Sequence, residues 1–156
     1  MRLTLQQMSG GDARAWLRSK EGVFLSDWTD AGIPEDRARA NLENACELVD
    51  PSSGADSPQK VFRVLDDGEE VGGLWFGPDS SGDSAAWWVW YVEVNRELRG
   101  RGLGRAAMQE AECIAGDYGA TKIGLNVMGS NHTARSLYES LGYRPVSISM
   151  TKALGE

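Results

Sequence analysis

Three alternating glycines set between arginines form the segment of this sequence that points most directly to chemistry. The segment reads Arg99-Gly100-Arg101-Gly102-Leu103-Gly104-Arg105. Glycines let backbone N–H groups turn toward a ligand and approach it closely. From Arg96 to Arg105 there are four arginines and one acid, Glu97, which gives a local net charge of +3. This combination predicts a binding site for an anion.

The residues on either side predict a strand before this segment and a helix after it. Ala85–Val94 is aromatic, β-branched and almost continuously apolar, which is typical of a central strand. Leu103–Tyr118 carries apolar residues at helical spacing, Gly119 ends it, and Cys113 on it is expected to be buried. The start of this helix would add free N–H groups and the positive end of its dipole. The whole arrangement predicts a pyrophosphate cradle.

Three nucleotide ligands could supply that pyrophosphate: a nucleoside triphosphate, a dinucleotide and coenzyme A. The loop that binds a nucleoside triphosphate, GxxxxGK[ST], does not occur in the sequence. Gly102, Gly104 and Ala107 satisfy the dinucleotide pattern G-x-G-x-x-G/A. That pattern also needs an acid about 20 positions later at the end of the next strand, and 122–127 contains none. A dinucleotide therefore stays as an alternative, and coenzyme A is the third possibility.

The segment resembles the acyl-CoA signature Q/R-x-x-G-x-G/A of the GNAT superfamily of N-acyltransferases through Arg99-x-x-Gly102-x-Gly104. Val92-Glu93-Val94 is similar to the strand that binds pantetheine in that family. A downstream block is also similar, with Asn131, Ala134 and the run Ser136-Leu137-Tyr138-Glu139-Ser140-Leu141-Gly142-Tyr143. The resemblance covers about Trp87–Tyr143.

The resemblance implies acetyl-CoA as the donor and assigns residues to it. Backbone N–H groups of Leu98–Gly104 would hold the pyrophosphate, and the arginines would lie near phosphate. The strand end at Val92–Val94 would pair with pantetheine, and its N–H groups would polarise the thioester carbonyl. The implied binding residues are Val92, Val94, Arg99, Gly100, Arg101, Gly102, Leu103, Gly104, Arg105, Asn131 and Tyr138. Asn131 also fits a helix N-cap, and both roles are compatible.

The same resemblance implies the catalytic groups. Tyr138 would protonate the departing thiolate, although on its own it also fits a core aromatic residue. Glu93 would be the general base that takes the proton of the amine, but alternation along a strand leaves open which face its side chain occupies. Asn126 stands where some relatives have an acid, and an amide is no base. Asp27 and Asp30, expected between the first helices, are weaker candidates.

The predicted elements give an α+β fold with three α/β/α layers. Its central sheet is mixed and mostly antiparallel, has about six strands, and carries helices on both faces. The strands at 85–94 and 122–127 are expected to splay apart and leave a cleft for the donor. The other predicted strands are 3–6, 60–65, 71–76 and 143–152, with a hairpin turn at Asp66-Asp67-Gly68, and the predicted helices are 12–20, 34–48, 103–118 and 131–141. A length of 156 residues fits one domain, residues 1–156.

Composition excludes several classes of protein. A net charge of −7 argues against a general nucleic-acid-binding surface. No apolar run reaches the roughly 18 residues of a membrane span, and the absence of a secretory signal predicts a cytoplasmic protein. Two cysteines predict no disulfide framework and no metal site. The single strand expected after the last helix would leave a sheet edge that a second copy could cover, as in a homodimer.

The distribution of charge along the chain indicates which acceptor the protein would prefer. Residues 1–78 contain 14 acidic and 8 basic side chains, a net charge of −6, which favours a cationic small-molecule or peptide amine. Trp16, Phe24 and Trp28 stand where relatives build the acceptor site, and they fit helix packing equally well. The sequence thus predicts acetyl transfer from acetyl-CoA to a primary amine by direct attack in a ternary complex. A non-catalytic acyl-CoA sensor and, less favoured, a dinucleotide-binding enzyme are the alternatives.

Overall fold

The computed structural model describes residues 2–54 and 56–155, and backbone contacts divide the chain into two units, Met1–Asn126 and Val127–Glu156. In the first unit the described elements are β1 (Leu3–Gln7), α1 (Gly10–Ser19), α2 (Glu21–Asp30), α3 (Glu35–Val49), β2 (Lys60–Asp66), β3 (Glu69–Pro78), β4 (Ala86–Val94), α4 (Leu103–Asp117) and β5 (Lys122–Leu125). The second unit contains α5 (His132–Ser140). No helix in the described part of the chain is both long and apolar enough to span a bilayer.

The sheet follows chain order from β1 to β5. Neighbours from β1 to β4 pair antiparallel, and β4 pairs with β5 in parallel. Asp67 and Gly68, both with positive φ (50° and 87°), make the tight turn between β2 and β3, as the hairpin pattern predicts. The expected mixed, mostly antiparallel sheet is confirmed.

Helices cover both faces of this sheet. On one face α1, α2 and α3 build a core in which Phe24, Leu42 and Cys46 pack with Val61 and Trp75 of the sheet. Successive strand residues point to opposite faces, so the buried side chains next to these sheet residues turn to the other face. There α4 contacts β1, β3 and β4. The predicted three-layer arrangement is therefore confirmed.

The parallel pair of β4 and β5 separates part-way along β4. Pairing begins at Ala86↔Lys122 and ends at Val89↔Leu125. There β5 ends, two residues earlier than predicted, while β4 continues to Val94. The second half of β4 is thus left without a β5 partner, which is the expected splay.

The predicted strand 143–152 is wrong. In the second unit α5 is followed by a turn with Gly142 at φ +99°, and 143–155 form neither helix nor strand. Apolar alternation suggested the strand, but a strand needs a hydrogen-bonded partner. The apolar residues of this segment stay 77–100% exposed: Val146, Ile148, Met150 and Leu154.

Cys113 is also exposed, contrary to expectation. The buried residues of α4 include Ala111 and Ala115, with Leu103, Ala107 and Met108 before them. At about 100° per residue, a position two residues from both Ala111 and Ala115 lies on the far side of the helix. Cys113 occupies that position.

Candidate active site

The glycine segment links the end of β4 to the start of α4 through backbone conformations that favour glycine. A single 3₁₀ turn, Arg96–Leu98, follows the strand. Gly100 and Gly102 both have φ +80°, and Gly102 is the N-cap of α4. L-residues with a side chain disfavour this region. Since the first N–H groups of a helix have no partner within the helix, the amides of Leu103 and Gly104 suit an external acceptor.

The charges around this helix start also favour an anion. The first turn of α4 contains no acid, whereas acids are the usual complement to a helix N-terminus. The arginines of the segment are exposed around it. Arg99 also donates from Nε to the carbonyl oxygen of Val94 at 2.9 Å, which ties the loop to the end of β4. The positive end of the helix dipole and the arginines both attract an anion.

The unpaired half of β4 offers a backbone edge next to this loop. Asn95 N donates to Val71 O of β3 at 2.8 Å, and the register continues through Glu93↔Gly73. Because successive amides of a strand point to opposite sides, the N–H groups of Val92 and Val94 point away from β3. Both residues are half-buried. An extended amide chain can pair with such an edge.

Glu93 lies in a cavity of about 300 Å³ on the face covered by α1 and α2. Its Oε2 is 2.7 Å from Lys20 Nζ and accepts a hydrogen bond from the Tyr91 hydroxyl at 3.2 Å. The Glu93 and Lys20 side chains are 21% and 25% exposed. The cavity is lined by Trp16, Lys20, Glu70, Gly72, Gly73, Glu93 and Asn95. The structure thus settles the face that the sequence left open.

Two glycines of β3 shape this cavity. A Cβ at Gly73 would overlap the indole ring of Trp16, so glycine lets that ring approach the strand closely. A Cβ at Gly72 would overlap the carbonyl oxygen of Glu93. Their missing side chains bring α1 and β4 close to β3 and leave room beside the Glu93 carboxylate.

Burial affects two titratable groups around Glu93. Burial first, and then the Glu93 carboxylate, raise the pKa of Tyr91, so this phenol stays protonated and donates to Glu93. Burial and the neighbouring Asp30 raise the pKa of Asp27. Asp27 and Asp30 lie within α2, not in a link between helices as expected, because Lys20 alone separates α1 from α2.

The aromatic residues of the first helices pack as a core. The rings of Phe24 and Trp28 stack with centroids 5.5 Å apart, and Phe24 meets Tyr91 edge-on at 4.8 Å. Trp16 lies 5.7 Å from Tyr91. Helix packing therefore accounts for Phe24 and Trp28, while Trp16 both packs and lines the cavity.

The second unit contains the remaining predicted residues. Asn131 caps α5, with its Oδ1 accepting from Ala134 N at 3.2 Å, which leaves the Nδ2 group as a donor. Tyr138 is half-buried, burial raises its pKa, and its ring meets Tyr143 edge-on at 6.0 Å. His132 is exposed in the first turn of α5.

Sequence reasoning missed Lys20 and Tyr91 as partners of Glu93. Lys20 and Glu93 meet only through the packing of α1 on the sheet, so no local spacing signals their contact. Tyr91 stands two residues before Glu93 and therefore on the same face of β4, which was an available signal. Asn126 directly follows β5 and is exposed, and its amide supplies no base.

Comparison with known proteins decides the family. The sequence pattern of the Acetyltransferase (GNAT) family matches residues 16–143, which include the glycine segment, Glu93 and Tyr138. The chain belongs to the GNAT family of acetyltransferases. It is therefore an acyl-CoA-dependent acetyltransferase, and the family's donor is acetyl-CoA.

Individual GNAT relatives agree with this assignment. The uncharacterized N-acetyltransferase YdgE of Bacillus subtilis (strain 168) is 30% identical over 138 residues, which cover 87% of this chain and 84% of YdgE. The uncharacterized N-acetyltransferase YycN of the same organism is 25% identical over 158 residues, 99% of this chain and 100% of YycN.

Solved GNAT structures share the fold. The crystal structure of YycN has a TM-score of 0.81 at 23% identity, covering 99% of this chain and 100% of that one. The structure of AAC(6')-Iy in complex with the bisubstrate analog CoA-S-monomethyl-acetylneamine has a TM-score of 0.63 at 14% identity, with 98% of both chains covered. The antiparallel order of β1 to β4 also differs from the parallel sheet of a dinucleotide-binding fold.

Proposed function

We propose that this acetyltransferase moves acetyl from acetyl-CoA to a cationic primary amine by direct attack in a ternary complex. The observation that carries the proposal is the continuity of three features along one stretch of chain. The unpaired end of β4 leads through the glycine segment into the start of α4. Such a stretch can bind an extended amide arm and a pyrophosphate side by side.

On the donor side, backbone groups do most of the binding. The amides of the glycine segment and of the first turn of α4 would hold pyrophosphate, with Arg101 and Arg105 near phosphate. Arg99 would contribute charge while keeping its hydrogen bond to Val94. The N–H groups of Val92 and Val94 would pair with pantetheine and polarise the thioester carbonyl. Asn131 would contact the arm through Nδ2.

On the acceptor side, the cavity around Glu93 supplies negative charge. Glu93 and Glu70 both line it, and residues 1–78 have a net charge of −6 from 14 acids and 8 bases. An alkylamine with an ordinary pKa of about 10.4 is almost wholly protonated at neutral pH. It must therefore bind as a cation and lose a proton before attack. Glu93 is the carboxylate that would take this proton.

Tyr138 is proposed as the acid that protonates the departing thiolate. A phenol is protonated at neutral pH and has a proton to give, and burial, which raises the pKa of Tyr138, keeps it protonated. The proton leaves the Tyr138 hydroxyl and is regained from solvent between turnovers.

Two measurements test the proposal. CoA at 100 times its dissociation constant should stabilise the protein by roughly 2.7 kcal/mol in a thermal unfolding assay. A panel of amines with acetyl-CoA, scored by release of free thiol, should then show turnover with cationic alkylamines. Faster turnover with neutral or anionic amines would remove the proposed acceptor class. Stabilisation by NAD and not by CoA would overturn the proposal altogether.

A non-catalytic acyl-CoA sensor is the second candidate, and two observations favour it. Glu93 is already paired with an internal cation, Lys20, and Asn126 cannot act as a base. Tight CoA binding without thiol release for any amine in the panel would support the sensor and contradict the enzyme.

A further inference from the structure

Lys20 has the chemistry of an acceptor and lies beside the proposed base. Its Nζ is 2.7 Å from Glu93 Oε2 and 5.8 Å from the centroid of the Trp16 ring. It is a primary alkylammonium in contact with an aromatic face and with the carboxylate proposed above to bind an external amine. Lys20 lines the cavity together with Glu93 and Asn95.

The backbone holds Lys20 in this place. The residue is at once the C-cap of α1 and the N-cap of α2, and its N–H donates to Leu17 O at 3.1 Å. The Lys20 backbone is therefore fixed between two helices, and the 2.7 Å contact with Glu93 Oε2 holds its amine in the cavity. The Lys20 amine is thus kept close to β4 at the residue between Val92 and Val94.

We propose that Lys20 is itself an acetylation site, modified within the same molecule by the acetyl thioester bound along β4. This inference rests on the proposed function. The bond that forms joins Lys20 Nζ to the acetyl carbonyl carbon, and the bond that breaks is the C–S bond of the thioester. The ammonium loses two protons to solvent, the first by way of Glu93, and the departing sulfur gains one proton from the Tyr138 hydroxyl, which solvent then restores. The products are Nε-acetyl-Lys20, CoA thiol and one released proton, and nothing is oxidised or reduced.

Acetylation would change the cavity. The amide of acetyl-lysine has no charge, so the Glu93 carboxylate would lose its ion-pair partner. An external ammonium could then bind that carboxylate without competing with Lys20.

The four lysines of the chain provide the test and its internal controls: Lys20, Lys60, Lys122 and Lys152. The full chain is treated with acetyl-CoA in one series and with sulfosuccinimidyl acetate in another, without added amine. Trypsin and mass spectrometry then give the acetylation rate at each lysine. Acetylation of Lys20 blocks cleavage there and yields a peptide spanning residues 19–37.

The proposal predicts that the order of reactivity reverses between the two reagents. With acetyl-CoA, Lys20 should react at least about a hundredfold faster than the other lysines, because it is positioned beside the bound thioester. With sulfosuccinimidyl acetate, Lys20 should react more slowly than Lys122 and Lys152, since these two are exposed and Lys20 is half-buried and ion-paired. Its rate constant with acetyl-CoA should not depend on protein concentration.

Glu93→Gln should lower the acetylation rate of Lys20 with acetyl-CoA and raise its rate with sulfosuccinimidyl acetate. Losing the proton acceptor should slow modification by acetyl-CoA about a hundredfold. Losing the ion pair should speed modification by the free reagent. Glu69→Gln, which removes an exposed charge of β3 outside the cavity lining, should change neither rate much.

Failure of this inference is separable from failure of the proposed function. If Lys20 reacts with acetyl-CoA no faster than Lys122 and Lys152 while the amine panel releases thiol, Lys20 is not a modification site and the acetyltransferase assignment to amines stands. An observed rate constant for Lys20 that rises in proportion to protein concentration would also overturn it, because the transfer would then occur between molecules. If CoA neither binds nor supports thiol release, both proposals fall.

Discussion

Individual side chains set the protonation states on which catalysis would depend. Tyr138 and Tyr91 are both phenols whose pKa burial raises, but their surroundings differ. Tyr91 donates its proton to the Glu93 carboxylate in a hydrogen bond. For Tyr138, burial alone accounts for the shift. Of these two phenols, Tyr138 is the one that we propose as the acid.

Tyr138→Phe should lower kcat by about a hundredfold and leave the dissociation constant of CoA nearly unchanged, because the acid acts in the transition state. A group with a raised pKa loses its proton only when the pH passes above its ordinary value of about 10. The wild-type rate should therefore show no decline from this residue between pH 7 and pH 9. A pH series of single-turnover thiol release measures the loss of rate in the variant and the pH dependence of the wild type. An unchanged kcat in the variant would remove Tyr138 from the mechanism.

Glu93→Gln should lower kcat/KM for an external amine by about a hundredfold, since the amide has no lone pair basic enough to accept the proton. The matched control is Glu70→Gln, which removes one negative charge from the same cavity and should raise KM with little change in kcat. Equal loss in both variants would indicate a role for charge alone.

At the scale of elements, the strand–loop–helix unit around Gly102 is part of the fold and is also the proposed donor site. The strand, the loop and the helix could each be predicted from the sequence because their signals are local: an apolar strand, alternate glycines, and apolar residues at helical spacing. The Asp67-Gly68 turn could be predicted for the same reason. Gly72 and Gly73 gave no such signal, because what they accommodate is the Glu93 carbonyl and the Trp16 ring, which come from other elements.

Gly102→Val should weaken CoA binding at least about tenfold, or about 1.4 kcal/mol, because the side chain would stand where pyrophosphate must approach the backbone. The matched control is Gly119→Val at the other end of α4. Gly102 and Gly119 have φ of +80° and +93°, and in both places a Cβ meets nothing within 4 Å. Each substitution should therefore cost at least about 1–2 kcal/mol of stability from the left-handed backbone.

Titration calorimetry with CoA separates strain from binding in these two variants. The two should lose similar stability in thermal unfolding, and only Gly102→Val should lose affinity. Equal affinity in both would mean that the glycine segment does not bind the donor.

At the scale of the molecule, the features that could not be predicted from the sequence depend on contacts between residues far apart in the chain. Lys20 and Glu93 belong to different layers, and only the docking of α1 on the sheet makes them neighbours. For the segment after Tyr143 the error was a predicted strand that does not form. Val146, Ile148 and Met150 alternate as in a strand and yet remain exposed. Periodicity shows which side chains share a face, but a strand also needs a neighbouring backbone to pair with.

The net charge of −6 in residues 1–78 leads to a prediction about salt. Raising ionic strength from 0.01 to 0.15 M shortens the Debye length from about 30 Å to about 8 Å, which screens attraction beyond direct contact. At saturating acetyl-CoA, KM for a cationic alkylamine should rise several-fold, and kcat should change little.

An uncharged amine of similar size is the control for this salt effect, because its KM should stay constant over the same range. Glu70→Gln should reduce the salt dependence for the cationic amine, since one carboxylate facing the cavity is gone. Glu93→Gln cannot serve here because it also removes the proposed base. If salt raises KM for both amines equally, the acidic half of the chain does not attract the acceptor, and specificity must then come from contacts within the cavity.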